Sequence, residues 1–281
     1  MNISGFLLTH IPQKGIMYIT KEEWIMKLHF LGTCAGTEPM PTRKHASFAL
    51  ECNGKLYWFD AGEGCSYTAH NMGLDLQKIY RIIISHPHMD HVGGLANLIW
   101  NCQKLHYVRK QSQEAECVHI HIPCLETWEG VQLILKNSEF GRNYPFALEA
   151  HETHEGVLFD DGTVSVIAMP NNHLAPRDGK IHSYSFLIQC EGKRIVYSGD
   201  VREYCELDPL IADYCDALIL ETGHFKIDDA YAFVSSRPVE KLYFTHNGRE
   251  FLHHPEESAE KVNRLFGSKA VISYDTMTAE L

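Results

Sequence analysis

Residues 83–94, IISHPHMDHVGG, place three histidines and one aspartate within six positions. The β-branched run YRIIIS ends within this stretch and predicts a strand, whereas the following VGGLANLIW predicts a helix. The donors therefore lie at a strand-to-helix turn. His86 and His88 are two positions apart, so their side chains point to the same side of an extended chain. Asp90 and His91 are adjacent, so their side chains point in different directions, toward a second site. This spacing predicts a site for two divalent metal ions.

Three later apolar runs each end in one metal-binding side chain. They are VSVIAMPNNH, which ends in His173, RIVYSGD, which ends in Asp200, and KLYFTH, which ends in His246. Because the ends of strands can meet at one edge of a sheet, these donors are candidates for further ligands. Since the chain contains 18 histidines, a histidine-rich loop with incidental spacing is the alternative for residues 83–94. The additional donors weaken that alternative, because a binuclear site needs them.

Composition narrows the class of protein. The chain has 281 residues, of which 44% are hydrophobic and 22% charged, as in ordinary globular domains. Its formal charge of -11 argues against a generally basic surface for nucleic acid. The nine cysteines include no Cys-x-x-Cys pair, which favours reduced thiols and a cytoplasmic location. No apolar run is long enough for a membrane span, so no membrane partner is expected.

The pattern of strands and helices predicts an N-terminal extension, residues 1–25, followed by one domain, residues 26–281. Eleven strand-like runs lie between 27 and 274, and helical patterns fall at 92–105, 125–137 and 255–266. The segment SFLIQC-EG-KRIVYSGD is typical of a β-hairpin. Strand meanders followed by alternating strands and helices predict sheets with helices outside.

The donor motif, His-x-His-x-Asp-His, then His, then Asp after SG, then His after FT, resembles that of the metallo-β-lactamase superfamily over residues 26–281. HFLGTCAGTEPMPTRKHASFAL, WFDAGEG and AMPNNH are most similar to ribonuclease Z and its phosphodiesterase relatives. The resemblance implies an α/β fold of four layers, an αββα sandwich. It also implies that two metals are held at one edge, between the sheets.

The resemblance implies a role for each donor. The first metal would be bound by His86, His88 and His173, and the second by Asp90, His91 and His246, with Asp200 bridging both. Asp60 would orient ligand histidines, and its alternative is a solvated turn aspartate. Zinc is the favoured metal, although manganese and iron tolerate the same donors.

Hydrolysis by a hydroxide that bridges the metals is the implied mechanism, with Asp90 holding the proton of this nucleophile. His224 is the favoured proton donor to the leaving group, and His182 is a weaker candidate. A surface or packing role remains the alternative for His224. Residues that bind substrate are not predicted.

Other donors are expected to have no chemical role. Cys117, His119 and His121 share one strand face, which could bind metal but is also the simple result of period-two alternation. The remaining clustered histidines are interpreted as parts of solvated loops or a helix entry, and they are His151, His154, His253 and His254.

The favoured function is hydrolysis of a small phosphodiester or nucleotide. Alternatives are an ester, lactone or thioester hydrolase, a tRNA 3′ endonuclease and a noncatalytic metal-binding protein. Only 27 positions (200 - 173) separate His173 from Asp200, which leaves no room for the tRNA-binding arm of bacterial ribonuclease Z. Nucleic acid is therefore not favoured, although Arg43, Lys44 and Arg109 on one rim would support it. A homodimer is left open.

Overall fold

The computed structural model describes residues 26–109, 117–138 and 145–281, so the predicted extension at 1–25 lies outside the described residues. Within these ranges, fourteen strands form two seven-stranded sheets. The first sheet has the spatial order β14-β1-β2-β3-β4-β5-β6 and consists of β1 (Lys27–Gly32), β2 (Ser47–Cys52), β3 (Lys55–Phe59), β4 (Ile79–Ile83), β5 (Cys117–Ile122), β6 (Ala147–Glu152) and β14 (Thr278–Glu280).

The second sheet has the order β13-β12-β11-β10-β9-β8-β7. It consists of β7 (Gly156–Asp160), β8 (Val164–Pro170), β9 (Tyr184–Cys190), β10 (Lys193–Tyr197), β11 (Cys215–Glu221), β12 (Val239–Thr245) and β13 (Ala270–Ile272). The α-helices are α1 (Cys65–Asn71), α2 (Met89–Val92), α3 (Leu95–Arg109), α4 (Leu125–Lys136), α5 (Asp208–Ile211), α6 (Ile227–Val234), α7 (Arg249–His253) and α8 (Pro255–Phe266).

Three hydrophobic clusters arrange these elements in layers. The cluster between the sheets includes Phe30, Phe59 and Phe186, all fully buried. A second cluster, which contains Trp58 of β3, packs α1, α3 and α4 against the outer face of the first sheet. A third packs α5 to α8 against the outer face of the second sheet and includes Leu218 of β11. The predicted αββα sandwich is therefore confirmed.

The strand directions determine where functional residues collect. Neighbouring strands from β3 to β6 run parallel, and so do those from β10 to β13. Their carboxyl ends therefore share one edge within each sheet, the usual position of binding sites in parallel sheets. No helix in the described part of the chain has the length and hydropathy to cross a bilayer.

All eleven predicted strands are present, three with the predicted bounds and the others with ends shifted by at most three residues. The β9–β10 hairpin is confirmed, because Cys190 pairs with Lys193 and the intervening Glu191 and Gly192 have φ values of 51° and 78°. The helix predicted at 92–105 is instead α2 followed by α3, which begins at Leu95 after Gly93 and Gly94. The pattern missed several elements, namely β6, β7, β14, α1, α5, α6 and α7.

Candidate metal centre

The structure brings all seven predicted ligands together at one edge of the sandwich. They form two groups whose donor atoms lie within 4.8 Å of one another, and both groups contain Asp200. The first is His86, His88, His173 and Asp200, and the second is Asp90, His91, Asp200 and His246. The ligands follow the carboxyl ends of β4, β8, β10 and β12, and thus come from both sheets.

The first group is centred on His88. Its Nδ1 atom lies 3.0 Å from Nε2 of His86 and 3.2 Å from Nε2 of His173. Asp200 Oδ2 is 3.7 Å from Nε2 of both His86 and His173. Because zinc–nitrogen bonds are about 2.0–2.1 Å long, two tetrahedral ligand atoms are expected about 3.3 Å apart. The observed spacings are close to that value.

The second group has the same spacing. Asp90 Oδ2 lies 3.1 Å from Nε2 of His246 and 3.5 Å from Nε2 of His91. Asp200 reaches the group through both oxygens, with Oδ1 3.2 Å from His91 Nε2 and Oδ2 3.4 Å from His246 Nε2. Asp200 therefore belongs to both groups, which is the position that the resemblance implies for a bridging ligand.

Two buried atoms support the fit of a metal to these residues. Nε2 of His91 and Oδ1 of Asp200 are buried and 3.2 Å apart, but neither has a hydrogen bond of good geometry to the other or to any other described residue. Burial opposes protonation of His246, but Asp200 and Asp90 outweigh it and raise its pKa to about 10. The carboxylates thus create a negative electrostatic potential that favours cations. A divalent ion would neutralise this potential and would also bind the two unpartnered atoms.

Asp60 is fully buried directly behind the second group. Its Oδ2 lies 2.7 Å from Nδ1 of His91 and accepts hydrogen bonds from the hydroxyls of Tyr197 and Ser85, and Oδ1 accepts one from the Ser85 amide. The backbone at Asp60 has a φ of 53°, which costs about 1 kcal/mol for a residue other than glycine. The surroundings are those of an orienting carboxylate, whereas a solvated turn aspartate would be exposed.

Glycines allow the backbone to approach the ligands closely. A Cβ atom at Gly36 would lie 2.7 Å from Oδ2 of Asp90, and one at Gly223 would lie 2.4 Å from Nδ1 of His246. Either side chain would displace a ligand, so the sequence leaves this space free.

His224 lies beside both groups with 44% of its side chain exposed. Its Nδ1 is 2.8 Å from Oε2 of Glu221 and 3.9 Å from Oδ2 of Asp200. The hydrogen bond to Glu221 raises the pKa of His224. Sequence reasoning missed Glu221, although the signal was present, because DALILE is another apolar run that ends in one donor at the same edge.

The other candidates lie outside this arrangement. His182 is buried, and its Nδ1 contacts the carbonyl oxygen of Pro123. Arg43 donates to the hydroxyl of Thr33, whereas Arg109 pairs with Asp75, so each guanidinium has a structural partner.

One interpretation of the discounted histidines is wrong. His151 lies within strand β6 and pairs with His121, because this strand carries polar side chains that obscure its alternation. His154, in contrast, is exposed between β6 and β7, and His254 precedes α8.

Comparisons with known proteins find relatives of this chain in sequence and in fold. A sequence model of the family described as Anti-Pycsar protein Apyc1 matches residues 26–232. A ribonuclease Z of Acaryochloris marina is 31% identical over 157 residues, which cover 55% of this chain and 46% of the relative. The chain thus matches about half the length of that relative.

Solved structures show the same fold. A metallo-β-lactamase fold protein of Bacillus subtilis has a TM-score of 0.71 at 15% identity, covering 92% of this chain and all of the other. The short form of human tRNase Z has a TM-score of 0.67 at 21% identity, covering 90% and 98%. A diphosphatase of the PhnP family has a TM-score of 0.63 at 17% identity, covering 91% and 98%. The chain therefore has the metallo-β-lactamase fold and belongs to the Anti-Pycsar protein Apyc1 family.

Proposed function

We propose that the protein is a binuclear metal-dependent phosphodiesterase that hydrolyses a small phosphodiester or nucleotide. The observation that carries this proposal is the pair of ligand groups that share Asp200, with His224 beside them. Two metal sites with a common ligand suit hydrolysis, in which attacking and leaving oxygens both need stabilisation.

The ligands would hold the ions as two sets. His86, His88 and His173 would bind one, Asp90, His91 and His246 the other, and Asp200 both. Zinc suits imidazole and carboxylate donors, and manganese or iron would also be accepted. When bound, the pair of ions lowers the pKa of water and offsets negative charge on the phosphoryl group.

Asp90 and His224 have complementary roles in this proposal. Burial raises the pKa of Asp90, but the hydrogen bond with His246 and the nearby imidazoles outweigh burial and lower it, so Asp90 is ionised and can accept a hydrogen bond from the nucleophile. His224 is held by Glu221 in a partly exposed position, where it can donate a proton to the departing oxygen. Asp60 orients His91 through the contact with its Nδ1.

A small substrate is favoured by the segment between His173 and Asp200. This interval contains a loop and the β9–β10 hairpin, without an extended arm. The net charge of -11 also disfavours a long polyanion. The PhnP-family neighbour is a diphosphatase, which agrees with a small phosphorylated substrate, while the ribonuclease Z relative keeps tRNA 3′ processing as the second candidate.

Turnover of bis(p-nitrophenyl) phosphate by zinc- or manganese-loaded protein tests the proposal. We expect metal-dependent cleavage that Asp90→Ala abolishes and that Asp213→Ala, at an exposed aspartate on the second-sheet side, leaves unchanged. Cleavage of carbon esters, lactones or thioesters without phosphodiester turnover would instead support the ester-hydrolase alternative.

Two further measurements separate the remaining alternatives. Cleavage of precursor tRNA at its 3′ trailer, faster than that of nucleotide phosphodiesters, would favour the endonuclease. Two bound metals with no turnover of any of these substrates would favour a noncatalytic metal-binding protein. Assembly as a homodimer stays a prediction, for which light scattering is the direct measurement.

A further inference from the structure

A second group of metal-binding side chains lies on strands β5 and β6, apart from the candidate centre. Cys117 and His119 lie in the amino-terminal half of β5, whereas the ligands described above follow the carboxyl ends of their strands. Glu149 and His151 lie on the neighbouring strand β6, and Glu149 pairs directly with His119. Both strands run parallel, so side chains of the same face stand next to each other.

The distances within this group match those expected around one ion. Cys117, His119 and Glu149 carry donor atoms that all lie within 4.8 Å of one another. Nδ1 of His119 lies 3.4 Å from Oε2 of Glu149. It also lies 3.2 Å from Nε2 of His151, but the donor atoms of His151 fall outside this group of three. The distance to Glu149 is close to the spacing of about 3.3 Å between ligand atoms on a tetrahedral zinc ion.

The chemical state of the side chains also suits a metal. Burial and the nearby Arg81 lower the pKa of His119, so the imidazole is neutral, whereas burial and Glu149 raise the pKa of the Cys117 thiol, which would lose its proton on binding the ion. His121 is not available in the same way, because its Nε2 contacts the guanidinium of Arg81 at 3.3 Å. The positive charge of Arg81 is balanced by Asp161, whose Oδ2 lies 3.5 Å away.

We propose that Cys117, His119 and Glu149 bind a zinc ion that joins β5 to β6. A thiolate, an imidazole and a carboxylate, with water in the fourth position, form a donor set that zinc accepts with tetrahedral geometry. The thiolate and the carboxylate together neutralise the ion. Since the ligands come from two adjacent strands, the ion stabilises the edge of the first sheet.

Cobalt spectroscopy distinguishes this site from the candidate metal centre. The groups around Asp200 contain only imidazole and carboxylate donors, whereas this site includes a thiolate. We expect Co²⁺-substituted protein to show a thiolate-to-cobalt charge-transfer absorption. Cys117→Ser should abolish it, and Cys205→Ser, at an exposed cysteine, should leave it unchanged.

Metal stoichiometry provides the second readout. After zinc loading, Cys117→Ser and Glu149→Gln should each bind one equivalent less than the wild type in mass spectrometry. Glu149 is exposed, so its substitution tests binding with little effect on folding. Turnover of bis(p-nitrophenyl) phosphate should be unchanged in both variants. Because stoichiometry measures metal binding and not turnover, this test does not depend on the phosphodiesterase proposal. Unaltered stoichiometry, or a charge-transfer band that persists in Cys117→Ser, would overturn the proposal.

Discussion

At the scale of single residues, Asp60 connects the candidate metal centre to both sheets. It follows β3 of the first sheet, contacts His91, and accepts a hydrogen bond from Tyr197 of β10 in the second. We predict that Asp60→Asn lowers metal affinity or turnover by about 10–100-fold, the usual effect of losing such a partner. Isothermal titration with zinc measures the affinity. Asp216→Asn, at a carboxylate that pairs with Lys193 and belongs to neither proposed metal site, is the control and should retain normal affinity.

A second residue-scale prediction concerns pH. The hydrogen bond to Glu221 raises the pKa of His224, so the imidazolium persists to higher pH than in a free histidine. Because the proposed acid must be protonated, turnover should fall as pH rises through this pKa. Glu221→Gln removes the main cause of the raised pKa of His224, so the decline in turnover should move to lower pH. His224→Ala removes the proposed acid, so this decline should disappear. The measurement is kcat as a function of pH in the wild type and both variants, at equal metal content. A profile that is unchanged in both variants would exclude His224 as the acid.

The residues also show what a sequence can reveal. The seven candidate ligands that the structure brings together could be recognised in the sequence, because each donor ends an apolar run or lies in one short motif. Glu221 also ends an apolar run but was not predicted. Its carboxylate contacts a histidine side chain, and no characteristic spacing in the sequence marks such a carboxylate. Only the fold shows that β11 brings it to the same edge.

At the scale of elements, the β9–β10 hairpin has a turn that one of its residues fits poorly. Both Glu191 and Gly192 have positive φ, as two-residue turns require, and only glycine adopts it without cost. We predict that Gly192→Ala destabilises the protein by about 1 kcal/mol, whereas Glu191→Asn stabilises it by up to about 1 kcal/mol. Urea denaturation measures both free energies of unfolding. Equal effects of the two substitutions would contradict the argument.

Elements that escaped prediction share a physical reason. In β6, side chains on both faces are exposed or half-buried, so no apolar alternation marks the strand. β14 has only three residues and is specified by its pairing with β1, more than 240 positions away in sequence. Such strands depend on tertiary contacts, whereas the hairpin and α8 carry local turn and capping signals.

At the scale of the whole molecule, the core between the sheets holds the two halves of the candidate centre in position. Val166 of β8 is fully buried there, whereas Val157 on the adjacent strand β7 is 55% exposed. We predict that Val166→Ala lowers the free energy of unfolding by about 2–3 kcal/mol, and that the matched Val157→Ala changes it by less than about 0.5 kcal/mol. Chemical denaturation followed by tryptophan fluorescence compares them. Similar losses in both variants would show that the sheets do not pack as described.

The division of ligands between two sheets has a consequence for biosynthesis. The first donor, His86, and the last, His246, are separated by 160 positions (246 - 86). During translation, the segment from His86 to His91 therefore emerges from the ribosome long before Asp200, the residue common to both groups. Ions held by an incomplete set of donors dissociate readily, so the growing polypeptide should acquire its metals only after the second sheet has docked. Metal capture would then be a late event of maturation, and it would report that folding is complete.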